Sequence, residues 1–168
     1  PGGPEIPESE GQTSRRRSLY FRSTPNEKMQ FLELFDQANP NECYRRQESV
    51  MPQQALALGN SALSLNQSRL LAKHLSDEVG PADESPRVTA VIHAAFETIL
   101  SRPPRPEEVA ACEKFLRSNT NLHRSGSKSA FPASAGPNVT APAADPHQHA
   151  RENLIHVLFS HNDFVTIR

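Results

Sequence analysis

The sequence predicts a mainly α fold, and three kinds of observation carry that expectation. Apolar residues recur at three- and four-residue spacing in separate blocks, the repeat of one helix face. Proline preceded by a capping residue opens several blocks, as in Ser85-Pro86 and Asp145-Pro146. Gly59-Asn60 and Gly80-Pro81 close others. The expected architecture is a compact module of about five to six helices, with short extended segments at both ends and a long disordered loop.

Residues 1–14 are Pro, Gly, Glu and Ser around a single Ile, too few apolar groups to order themselves. The helical domain is read over 15–117. It opens on RRRSLYFRSTP, where Leu19, Tyr20 and Phe21 form an apolar, β-favouring run that Pro25 stops, so a short extended segment is expected. Met29, Phe31, Leu32, Leu34 and Phe35 then crowd into one or two helical turns. The loop 36–42 (DQANPNE) follows and leads to Cys43–Leu75, the stretch around which the rest is organised. Pro52 starts a short helix, Gly59-Asn60 stops it, and Ser61 or Asn60 caps the next. In that next helix Leu63, Leu70, Leu71, Leu75 and Val79 are expected on the buried face, with Gln67, Arg69, Lys73 and Asp77 mostly opposite.

Val88, Val91, Ile92, Ala95, Phe96, Ile99 and Leu100 make the cleanest amphipathic helix in the chain. SRPPRP (101–106) is a stiff connector, and Pro106 opens a further helix with Glu107 and Glu108 suited to its dipole. Val109, Cys112 and Leu116 line one face of it, so the two helices should pair as a hairpin. Residues 118–144 change to Ser, Ala, Pro, Gly and Asn, the composition of a flexible loop. They include an Asn138-Val139-Thr140 sequon, a pattern that chance often supplies. Residues 145–168 resume as a C-terminal helix with a Leu154, Ile155, Leu158, Phe159 stripe. An extended tail, DFVTIR, then packs back on the domain.

Composition limits the function classes. Hydrophobic content is 36% and there are 15 prolines, so part of the chain is not packed. A net charge of −1 gives no global pull toward nucleic acid or an anionic membrane. Arg15, Arg16, Arg17 and Arg22 with Tyr20 and Phe21 make a basic patch, but no nucleic-acid module surrounds it, and no nucleic-acid partner is expected. No run approaches the ~20 apolar residues of a membrane span. The chain opens on PGGPEIPESEGQ without Met or a leader and reads as a piece of a longer polypeptide. Cys43 and Cys112 permit one disulfide or can each be a small buried hydrophobe; their spacing fits no metal motif.

The candidate site is the polar corner within 43–75. Its first reading is structural: short helix, tight turn, long helix. The second is a binding corner in which Gln53, Gln54, Asn60 and Asn66 present amides to a ligand or partner, with Arg45, Arg46 and Glu48 joining it or forming a buried polar network, paired arginines being suited to a carboxylate of a ligand or of the chain itself. Seven histidines invite a metal reading, but His147 and His149, two apart on a helix, face different directions. No metal site is expected. No Gly-rich phosphate loop or nucleophile elbow occurs, so no catalytic residue is named.

RRRSLYFR, FLELFD, NECYRRQESVMPQQALALGNS, ILSRPPRPEE and LIHVLFSHNDFVTIR together resemble the C-terminal part of the planctomycete-type domain of unknown function numbered 1553. The resemblance implies a helical module at the end of a large exported, cell-envelope protein, downstream of a cytochrome-c-like module. Any haem would belong to those upstream domains, with no cofactor in this chain. The implied partners are the upstream domains of the same polypeptide or an envelope protein. No reaction is implied. The leading expectation is a non-catalytic structural or interaction module. The alternative is part of an envelope enzyme, a hydrolase or redox protein related to polysaccharide, with a cleft around residues 45–60.

Overall fold

The computed structural model describes residues 3–11, 14, 16–22, 24, 26, 28–35, 41, 52–80, 85–125 and 139–165. Within them the protein is mainly helical. The α-helices are α1 (Gln30–Glu33), α2 (Pro52–Asn60), α3 (Ala62–Val79), α4 (Ser85–Leu100), α5 (Pro106–Arg124), α6 (Pro146–Phe159) and α7 (Asn162–Val165). Two single 3₁₀ turns, Glu8–Glu10 and Ser18–Tyr20, precede them.

Local chemistry places the helix ends. The Ser61 hydroxyl accepts from the Ser64 N–H at 3.0 Å and starts α3. Gly80 ends it at φ 89, where an L side chain would be strained. The Glu108 carboxylate accepts the Arg105 N–H at 2.7 Å at the start of α5, next to Pro106. The Asp145 carboxylate accepts from the Gln148 N–H at 2.8 Å, with Pro146 at the first helical position of α6.

Helix α6 is the hub. It packs most extensively on α3 and α5, and also touches α4, α2 and α7. The core joins Ala72 and Leu75 of α3, Ile92, Ala95, Phe96 and Leu100 of α4, Cys112 and Leu116 of α5, and Ala150, Leu154, Ile155 and Leu158 of α6. The α4 stripe is the one its apolar spacing predicts. The α3 stripe is not: Leu65, Ser68, Ala72 and Leu75 are buried and Leu70 is exposed. The helix is turned so that Arg69, expected on the solvent side, lies inside. The reason is an ion pair and a carbonyl contact waiting for it there, described below.

Three other segments differ from expectation. Residues 18–20 form a 3₁₀ turn rather than an extended run, with Leu19 83% exposed. Its neighbour Phe21 bridges to Ile6, which is only 4% exposed, and the Ile6 N–H donates to the Tyr20 carbonyl at 2.9 Å. Thus an isoleucine in the stretch expected to lack order sits in a local apolar contact. Next, α5 continues through Ser118 to Arg124, with Asn119 and Thr120 buried against α6. Finally, Asn162–Val165 is a helical turn where an extended tail was expected. Arg102 in the α4–α5 connector binds Asp163 there at 2.9 Å, and the Phe164 ring lies 5.3 Å from that of Phe159.

Candidate functional site

Among the described residues, the predicted polar corner does not converge on a ligand. Gln53 is exposed on α2. The Gln54 side-chain amide donates to the Leu34 carbonyl at 2.7 Å, tying α2 to the turn after α1. The Asn60 amide donates to the Leu56 carbonyl at 2.9 Å, closing the last turn of its own helix. These two amides do structural work on backbone carbonyls. Arg45, Arg46 and Glu48 lie outside the described residues, as does Cys43.

The notable concentration of chemistry is elsewhere, along α6. Residues 150–156 (ARENLIH) are buried without a break, although four of the seven carry polar side chains that can ionise or donate hydrogen bonds. Burial of such groups is unfavourable unless each finds a partner. On the α3 side, Arg69 Nε lies 3.9 Å from Glu152 Oε2, and each side chain is 8% exposed. Arg69 also donates to the Thr140 carbonyl. The Glu152 carboxylate accepts the Ala143 N–H at 3.1 Å, and the Asn66 amide oxygen accepts the Thr140 N–H at 2.8 Å. The segment entering α6 is thereby laced to α3. One turn away, Arg151 Nη1 donates to the Ser76 hydroxyl at 2.8 Å, and Ser76 donates to Gln148 Oε1 at 2.7 Å.

The α5 side is built from amides and imidazoles, with Arg124 at its edge. Asn153 Nδ2 donates to Asn119 Oδ1 at 3.0 Å and reaches His123 Nε2 at 3.3 Å. His123 stacks on His149, ring centroids 3.8 Å apart and planes 16° from parallel. Arg124 Nη2 lies 2.7 Å from His147 Nε2. His147 and His149 both turn toward α5, where they meet the neighbouring residues Arg124 and His123.

Burial governs the protonation of this seam. It raises the Glu152 carboxyl above its ordinary range, against the Ala143 N–H and the Arg69 charge, which lower it. It lowers Arg69 despite the opposing pull of Glu152. For both partners desolvation outweighs attraction. Burial also lowers His149, helped by His123 and Arg69, so its neutral form is favoured. His156 is lowered by burial as well, against the hydrogen bond it donates to the Leu58 backbone, which raises it.

A second polar group borders a groove of about 1200 Å³ between the α4–α5 connector and the α6–α7 end. Arg102 holds Glu108 through two bonds of 2.8 and 2.7 Å, as well as Asp163. The Arg102 hydrogen bonds take the Glu108 carboxyl down to about 2. Arg102 is itself held above its ordinary value by Glu108 and then Asp163. Cys112 is buried, and burial, then the Glu108 charge, pushes its thiol up to about 11, a protonated and unreactive form at neutral pH. Among the described residues, no three or more His, Cys, Asp or Glu side chains gather as a metal site. No described helix is long and apolar enough to cross a membrane.

Periodicity of apolar residues missed this seam. The signal available was the three-four spacing of His149, Glu152, Asn153 and His156, which prolongs the buried face of α6 with polar residues.

The family described as "PSD1: Protein of unknown function (DUF1553)" matches residues 3–116, more than half of the chain. The chain belongs to the DUF1553 family. The DUF1553 match stops within α5, so α6 with its side of the seam, and LIHVLFSHNDFVTIR, lie beyond it, while Arg69 and Ser76 lie within it. No curated protein and no solved structure matches the chain.

Proposed function

We propose that this DUF1553 chain is a non-catalytic structural or interaction module of a larger exported cell-envelope protein of the planctomycete type. Its partners in this reading are the upstream domains of the same polypeptide or an envelope protein, and any haem is carried upstream. One observation supports it above others. The buried polar side chains Arg69, Asn119, Arg151, Glu152 and Asn153, with the half-buried Ser76, are bonded to one another or to backbone of this chain. Side chains committed in this way hold helices in register and are not presented to a substrate. Gln54 and Asn60, which an enzyme cleft around 45–60 would need, are likewise engaged with backbone carbonyls.

The test uses the full-length protein. Arg45, Arg46, Glu48, Gln53, Gln54 and Asn60 are replaced by Ala singly, and any catalytic step of the parent protein is followed alongside its stability and assembly. A module predicts changes in stability or assembly with the rate per folded molecule retained. A variant that keeps fold and assembly but loses the catalytic step contradicts the reading and restores the cleft.

A further inference from the structure

We propose that the stacked rings of His123 and His149, with His147 beside them, form an acid-sensitive clasp. It closes the end of the α5–α6 pair from which the connection between the two helices leaves, and releases that end when the imidazoles are protonated.

The geometry requires neutral rings. Arg124 Nη2 can only donate, so His147 Nε2 at 2.7 Å must accept through its lone pair. Asn153 Nδ2 is likewise a donor, directed at Asn119 Oδ1 and at His123 Nε2. A proton on either Nε2 would set donor against donor. The face-to-face contact of His123 and His149 at 3.8 Å tolerates two neutral rings and not two imidazolium ions.

The surrounding charges push the same way, with one exception. Arg69 of α3 acts on His149, His123 and Arg124 project from α5, and α6 adds His147 and Arg151, the latter turned to Ser76. A new positive charge thus arrives among cations. Glu152 is the exception. Its carboxyl is raised by burial, so the folded state takes up its proton more readily than the unfolded chain, and acid favours folding at that residue. That uptake also neutralises the counter-charge of Arg69, which leaves His149 facing an unopposed guanidinium. For His149 the sign is the reverse. Its folded value is depressed, so the unfolded or opened state binds more protons. Its contribution is complete above the ordinary histidine value and is lost as pH falls below it.

The clasp is local. The helices run antiparallel, Asn119 opposite Asn153 and His123 opposite His149. Farther along the pair the α5–α6 contacts are apolar, Cys112 and Leu116 with Leu154, Ile155 and Leu158, while the buried His156 bonds to the backbone of Leu58 in α2 and lies outside the α5 contact. Acid should therefore open the histidine end and leave the apolar end closed.

Amide hydrogen exchange of the full chain at pH 7.5 and 5.0, corrected for intrinsic rates, tests this. Protection over 119–124 and 147–151 should fall by on the order of tenfold at pH 5.0, with 91–96 and 112–116 unchanged. Undiminished protection at the clasp, or an equal fall everywhere, overturns the proposal. In the His123→Gln/His149→Gln double variant the local fall should shrink to the part His147 carries, and a fall as large as the wild type's overturns it. Should that variant not fold, His147→Gln is measured instead: the fall must be smaller than in the wild type, and an unchanged fall overturns the clasp.

Discussion

Removing the charge of Glu152 while keeping its shape probes the seam most sharply. Glu152→Gln retains an oxygen for the Ala143 N–H but leaves Arg69 buried without a counter-ion. At 3.9 Å the pair attraction is about 4 kcal/mol at an effective dielectric near 20. Loss of one partner of a buried pair costs about 3–5 kcal/mol, because a guanidinium cannot shed its proton. The converse variant, Arg69→Met, forfeits the Thr140 contact, but Glu152 can neutralise itself. Its cost should be about 2 kcal/mol at pH 7.5, and smaller at pH 5.5. The sign follows from linkage: burial already raises the folded Glu152 carboxyl above its unfolded value, and loss of Arg69 raises it further, so the folded state gains protons as pH falls. Glu152→Gln has no such titration. The double variant Arg69→Met/Glu152→Gln should cost well under the sum of the singles. Urea unfolding followed by circular dichroism at both pH values gives all four stabilities. A Glu152→Gln cost below about 1 kcal/mol, or additive singles, would refute the claim that the charges are held in a dry, mutually dependent seam.

Three further outcomes follow from the same structure. Asn153→Leu should destabilise by about 2–3 kcal/mol, since Asn119 loses its partner inside the α5–α6 contact. Pairing it with Asn119→Leu should return part of that loss in thermal melts. Carboxyl NMR should find Glu108 titrating near 2, so the contribution it makes to the fold is present above its unfolded value and lost only as pH falls toward 2. In Arg102→Ala that titration should return toward about 4.3, and an unmoved value would contradict the assigned cause. Peptide-level mass spectrometry after iodoacetamide treatment should find Cys112 modified only as fast as the protein opens, because the thiol is buried and protonated. Modification much faster than global unfolding would place it at an accessible surface.

The starts of α3, α5 and α6 were legible because caps are local chemistry. Ser61, Pro106, Asp145 and Pro146 act on amides within three or four residues, so the sequence around each suffices. The α4 face was legible because its apolar residues saturate the stripe. The α3 face was not, because Arg69 is drawn inward by Glu152 and Thr140, more than seventy residues away in the chain. The α6 hub was hidden for the same reason: Arg151, Glu152 and Asn153 look like a solvated face until their partners on α3 and α5 are in place. The end of α5 was misplaced because Ser118, Asn119 and Thr120 are weak helix formers, held helical by contact with α6. Of the candidate site, Gln54 and Asn60 were expected to present amides to a ligand or partner, yet the bonds they make are to backbone carbonyls, which no side-chain pattern reveals.

The most direct test is truncation after Ser125, which keeps the DUF1553-matched residues 3–116 and removes α6. With α6 as the hub, Ala72, Leu75, Ile92, Phe96 and Leu116 lose their common neighbour, and the truncated chain should lose cooperative thermal unfolding while the whole chain retains it. A sharp unfolding transition and full helical dichroism in the truncated chain would show that the fold is complete without the polar helix.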